Sequence, residues 1–118
     1  MEDMLSETNL AAALSELLQE HKGQDVSVLD LRRMNAWTDF FIIATVSSNA
    51  HMDGLMRHIK EFCREKEIEI LRASPKPPAS DQRSVDDEWR LIDLGPVVIH
   101  LMSKSTRDFY ELERLWSG

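Results

Sequence analysis

Residues able to do chemistry are scattered along this chain, and their spacing decides what they could do. His51 and His58 are seven apart and fall on one side of a helical pattern, while Asp86, Asp87 and Glu88 form an acidic run. A metal site needs three or four convergent donors, so both read as boundary or solvated features. Asp30, Asp39 and Asp93 each lie at or near the end of a strand-like run, where an α/β sheet presents functional groups. Two of them holding Mg²⁺ could serve a phosphoryl-type transfer, which also needs a phosphate cradle. Asp39 could equally satisfy loop amides. The single cysteine, Cys63, sits on the apolar stripe of its helix, a core position and not a nucleophile. No Walker loop, GxGxxG, HExxH, GxSxG or CxxC occurs, so the common phosphate, zinc and nucleophile signatures are absent.

What remains is a set suited to recognition. The last thirty residues place Trp89, Leu91, Asp93, His100, Met102 and Tyr110 among apolar positions that Leu, Val or Lys could have filled. With Gly95-Pro96 as a two-residue turn, Trp89 lies opposite Met102, Leu91 opposite His100, and Asp93 opposite Val98. Alternation puts these six on one face. Ile92, Leu94, Val97, Ile99 and Leu101 fall on the other, a cleaner core face. Trp89 is either core or an interface anchor; His100 reads as a strand histidine, and Trp116 as the anchor of a final helix.

The elements that must position these residues follow from periodicity. Leu10, Leu14, Leu17 and Leu18 recur at helical spacing, with Thr8 or Asn9 as N-cap and Gly23 as the stop. Val26–Leu31 reads as a strand and residues 39–45 as a central strand, apolar on both faces. Trp37 stands alone in the polar connection between them. Ser47, Ser48 and Asn49 offer caps for a second helix, whose stripe runs through Met52, Leu55, Met56, Ile59, Phe62 and Cys63. Ile68–Leu71 reads as a short third strand. Residues 73–88 carry three prolines among Ser, Asp and Lys and read as an irregular, mobile loop. After the hairpin, Ser105–Asp108 has the form of a capping box opening a helix with Phe109, Leu112, Leu115 and Trp116 on one side. The order is α-β-β-α-β-β-β-α: an α/β fold with a single mixed β-sheet and flanking helices, expected to form one domain over residues 1–118.

Composition narrows the function classes. A hydrophobic share of 42% excludes wholesale disorder. A lone cysteine excludes a disulfide framework and fits a reducing compartment. The acidic first residues lack a basic n-region and a long apolar stretch, and no apolar run approaches the roughly 18 residues needed to span a bilayer; a cytoplasmic location, with no membrane, is expected. The net charge of −7 disfavours extensive direct nucleic-acid binding, which draws on a basic footprint. An acidic chain still suits a basic protein partner.

An ordered set of residues resembles a known family. Lys22-Gly-Gln-Asp-Val26, Leu29-Asp30, Thr38-Asp39, Ile42-Ile43, Thr45, Ser48, His51, His58-Ile59 and the tail Trp89, Asp93-Leu-Gly95, His100, Met102, Arg107, Tyr110, Leu112-Glu113, Leu115-Trp116 are similar to the ribosomal silencing factors (RsfS, YbeB or Iojap). The likeness runs from about Lys22 to Trp116, and the tail is its most specific part. Val46, Asn49-Ala50, Pro96 and the long 73–88 segment depart from the family pattern. The resemblance implies a nucleotidyltransferase-like fold without the catalytic motif, no enzyme activity and no cofactor. It also implies binding to ribosomal protein uL14 of the large ribosomal subunit, steric blockade of subunit joining, translation damped under nutrient stress, and homodimers when free. Trp89, Leu91, Asp93, His100, Met102 and Tyr110, with Asp39 and His51, are the expected partner-binding residues.

Overall fold

The computed structural model describes residues 7–34, 38–73, 89–111 and 114. Trp37, Asp86, Asp87, Glu88, Leu112, Leu115, Trp116 and nearly all of the 73–88 loop lie outside the described residues. The elements are α1 (Glu7–Glu20), β1 (Gln24–Asp30), β2 (Phe40–Val46), α2 (Asn49–Glu65), β3 (Arg72–Ala73), β4 (Trp89–Asp93), β5 (Val97–Ser103) and α3 (Lys104–Tyr110). The five strands form one mixed sheet in the order β1-β2-β5-β4-β3. β2 and β5 pair in parallel and every other neighbouring pair is antiparallel.

The interior position of β2, between β1 and β5, follows from its composition. All seven of its residues are buried, as a strand covered on both faces requires. One face of the sheet carries Phe40, Ile42, Ala44, Val46, Ile92, Leu94, Val97, Ile99 and Leu101. It packs under Leu10, Leu14 and Leu18 of α1 and Met52, Leu55, Ile59 and Cys63 of α2. The opposite face carries smaller clusters, Leu31–Phe41–Val98 and Ile43–Met102, edged by the half-buried Leu29, Met34, Leu91 and Trp89.

The helix boundaries differ from the sequence expectation in instructive ways. α1 already includes Thr8 and Asn9, so neither is its N-cap. Its end is a Schellman turn: Lys22 N–H donates to the Gln19 carbonyl and Gly23 N–H to the Leu18 carbonyl, at 3.1 and 2.7 Å. The left-handed residue is Lys22, at φ 72°, not Gly23. Gly23 is needed for closeness, because a Cβ there would come within 2.9 Å of the Leu18 carbonyl oxygen. α2 is capped by Ser48, whose side chain accepts from His51 N–H, as expected. It closes with the same turn, Glu67 being left-handed and Ile68 N–H reaching the Cys63 carbonyl. α3 is capped by Ser103 and not by Ser105, since Thr106 N–H donates to the Ser103 hydroxyl.

The third strand is also displaced. Ile68–Leu71 leads out of the α2 turn and packs its two isoleucines against the main core. Ladder pairing begins only where the chain comes opposite the end of β4, with Arg72 against Asp93 and Ala73 against Ile92. Ala73, expected at the start of the loop, is thus in a strand.

Candidate interaction surface of the hairpin face

The β4–β5 hairpin has the expected register: Trp89 opposite Met102, Leu91 opposite His100, Asp93 opposite Val98. Its tip closes through Leu94 N–H to the Val97 carbonyl at 2.9 Å. Gly95 adopts φ 97°, which a side chain rarely tolerates. The tip is clamped from outside. The Thr38 hydroxyl donates to the Gly95 carbonyl, and the amides of Asp39 and Phe40 both donate to the Pro96 carbonyl.

Trp89 is half-buried and its indole Nε1–H donates to His100 Nδ1 at 3.1 Å. Because Nδ1 accepts, the neutral ring carries its hydrogen on Nε2. Nε2 is buried with no hydrogen-bond partner among the described residues. Burial pushes the His100 pKa down to about 4, so the imidazole is neutral near pH 7. Phe41 meets the ring edge-on, centroids 4.6 Å apart. Met102 is fully buried beside Ile43.

Tyr110 comes to this cluster from α3. Its ring lies 4.9 Å from that of Trp89, and Phe109 stands edge-on to Tyr110 at the same separation. The helix is held in place by Arg107, one turn earlier. Its buried guanidinium donates to the hydroxyls of Thr45 and Ser27, at 2.9 and 3.2 Å. A cation from α3 thus reaches β1 and β2 and sets where Tyr110 stands. The outcome is a graded surface, with His100 and Met102 buried, Trp89 and Leu91 half-exposed, Tyr110 44% exposed and Phe109 78% exposed.

Phe109, expected on one side of the last helix with Leu112, Leu115 and Trp116, is exposed and was not read as part of this surface. The aromatic doublet Phe109-Tyr110 was the available signal. Phe41 was likewise missed, although its alternation with Ile43 along β2 places it on the His100 face.

The other expected residues sit elsewhere. Asp93 occupies the far end of the same face, where Oδ1 accepts from Gly95 N–H at 2.8 Å and Oδ2 faces Arg72 at 3.5 Å. Asp39 flanks the hairpin tip through its backbone. His51 belongs to the helical side. Its Nδ1 accepts from Ser47 N–H and its Nε2–H donates to the His21 carbonyl, joining the start of α2 to the end of α1. His58 stacks on His21, ring centroids 3.6 Å apart. Asp30 is engaged by both side-chain and backbone nitrogens of Arg32, which hold its pKa down at about 2. The three strand-end aspartates therefore have separate partners or places. Among the described residues no three His, Cys, Asp or Glu converge to hold a metal. No helix among them is long and apolar enough to cross a membrane.

Comparison with known proteins agrees with this arrangement. A crystal structure of a Chromobacterium violaceum protein superposes with a TM-score of 0.81 at 27% identity, covering 96% of this chain and 88% of that one. The Ribosomal silencing factor RsfS of Treponema pallidum is 32% identical over 113 residues, 95% of this chain and 94% of its own length. The mouse protein named Mitochondrial assembly of ribosomal large subunit protein 1 is 29% identical over 104 residues, but this chain spans only 43% of its length. Residues 4–118 match the family described as Ribosomal silencing factor during starvation, and the chain belongs to that RsfS family.

Proposed function

We propose that this chain docks on the large ribosomal subunit through its Trp89–Tyr110–Phe109 face, against ribosomal protein uL14, and thereby keeps the small subunit from joining. Translation falls because the joining surface is covered. The observation that carries this reading is the aromatic run on a rigid hairpin, buried at His100 and progressively exposed toward Phe109. Aromatic side chains held by a buried base are what protein interfaces use as anchors. Family membership supports the ribosome as the target, and the mouse relative's name supports the large subunit. The net charge of −7 suits a basic ribosomal protein. The reading needs steric occupancy and no catalytic residue, with the cytoplasm as the place of action.

Ribosome-profile sedimentation tests it. Added protein should move assembled ribosomes toward free subunits and travel with the large one, and Trp89→Ala should weaken both effects. Migration with the small subunit alone would sink the proposal. In the absence of ribosomes we propose that the same face closes on a second copy of the chain. Size-exclusion chromatography of wild type and Trp89→Ala checks this, the variant being expected as the smaller species.

A further inference from the structure

On the helical side of the sheet, directly behind Trp89, the chain is locally basic. A cleft of about 480 Å³ lies between α2 and the start of β4, lined by four cations, Arg57, Lys60, Arg64 and Arg90, and two carboxylates, Asp53 and Glu61. Arg90 is buried at its floor, 3.2 Å from Asp53. Arg57, Lys60 and Arg64 stand exposed on the outer side of α2. At 100° per residue they fall within about 60° of the helix circumference. They form one stripe beside the cleft.

Two features set this stripe apart on a chain with 21 acidic and 14 basic residues. Among the described residues no ion pair ties Arg57, Lys60 or Arg64, as none ties Lys22, Arg33 or Lys66, but here three such cations share one helix face. Moreover, Arg57–Lys60 and Lys60–Arg64 are like charges at i,i+3 and i,i+4, a spacing that weakens an isolated helix. The nearby Glu61 faces His58 at 4.0 Å. The like-charge repulsions are offset by opposite-charge spacings, Asp53–Arg57 and Arg57–Glu61 at i,i+4 and Glu61–Arg64 at i,i+3, so the stripe contributes little net to the helix.

We infer that this cleft binds a stretch of RNA phosphate backbone, so that β4 is contacted from both sides, by protein at Trp89 and by RNA beyond Arg90. Evenly repeated single charges match a phosphodiester chain. Two of the three cations are arginines, whose planar fork pairs with phosphate in bidentate fashion. The footprint is about three phosphates, compatible with an acidic chain overall. The inference rests on family membership, which makes a nucleoprotein particle the setting, and not on the docking role of Trp89.

The test is titration of the full chain with an RNA duplex of about 16 base pairs, the span that a small RNA-binding domain covers, over a range of salt concentrations. Wild type should bind at low salt, with log affinity falling steeply against log salt. The combined Arg57→Gln, Lys60→Gln, Arg64→Gln variant should lose about tenfold or more, and its slope should flatten by about 2 to 3. Each single substitution should flatten it by about 1, which covers the case of a triple variant that folds poorly. Trp89→Ala should bind the duplex as wild type does, so a failed protein-docking proposal would show itself separately. Absence of wild-type binding, an unchanged slope in the variants, or equal competition by poly-glutamate at matched charge would each overturn the RNA assignment; the last would favour an acidic protein partner.

Discussion

At the residue scale, the Trp89–His100 pair decides how the hairpin face behaves. Truncating Trp89 removes an anchor and also strips His100 Nδ1 of its donor. Trp89→Ala is expected to cost about 2 kcal/mol or more of partner affinity. Trp89→Phe keeps most of the ring but leaves both imidazole nitrogens unpaired among the described residues, and should lower stability by about 1–2 kcal/mol. Calorimetric binding and chemical denaturation on the two variants separate these effects; a Phe variant as stable as wild type would mean the hydrogen bond contributes nothing. His100 adds a pH signature. Its pKa is about 4 in the folded chain against 6.5 for the free side chain. Above pH 6.5 the ring is neutral in both states. As pH falls from 6.5 to 4 the unfolded chain gains a proton that the folded chain refuses, so stability declines by up to roughly 3 kcal/mol. Denaturation midpoints at pH 7 and 5 should differ in wild type and differ less in His100→Phe. The hairpin register and its two faces could be read from alternation and Gly95-Pro96. That His100 is deeply buried could not, because a strand histidine's burial depends on partners such as Phe41 that lie far away in sequence.

At the element scale, the sheet was legible and its helix ends were not. The all-apolar run of β2 demanded an interior position, and Met52 to Cys63 left little doubt about α2. Helix ends are set by backbone geometry that composition signals weakly. Gly23 marked the stop of α1, yet Lys22 takes the left-handed turn, and Glu67 does so at the end of α2 without any glycine nearby. The pairing of β3 was hidden for a similar reason: its ladder is fixed by where the chain meets Asp93, not by the hydrophobicity of Ile68 and Ile70. Left-handed backbone costs a non-glycine residue about 1 kcal/mol or more, offset in part by glycine's larger loss of freedom on folding. Glu67→Gly is therefore expected to stabilise the chain by about 0.5–1 kcal/mol, seen as a melting temperature a few degrees higher. A lower melting temperature would show that the Glu67 side chain does more than tolerate the turn. For α3 the corresponding constraint is Arg107. Arg107→Met should loosen the helix over β1 and β2 and weaken partner binding while leaving the Trp89–His100 hydrogen bond in place. Tryptophan fluorescence and affinity, measured together, check that.

At the scale of the whole molecule, charge and shape point in two directions at once. The chain is acidic overall, but β4 divides a hairpin face rich in aromatic groups from a basic cleft on the other side. Long-range attraction responds to net charge, whereas contact energy responds to what each surface meets. A basic protein alone should thus be drawn by the negative field, and its association rate with this chain should fall as salt rises, with dissociation changing less. Neutralising Arg57, Lys60 and Arg64 removes three more positive charges from a chain already at −7. Against isolated uL14 that change should leave association as fast or make it faster. Against the intact large subunit, where RNA would meet the cleft, it should slow association and speed release. Stopped-flow or surface-binding kinetics with the two targets side by side give the answer. Parallel slowing on both targets would mean that the stripe serves the protein contact itself, and no change on either would return it to the solvent.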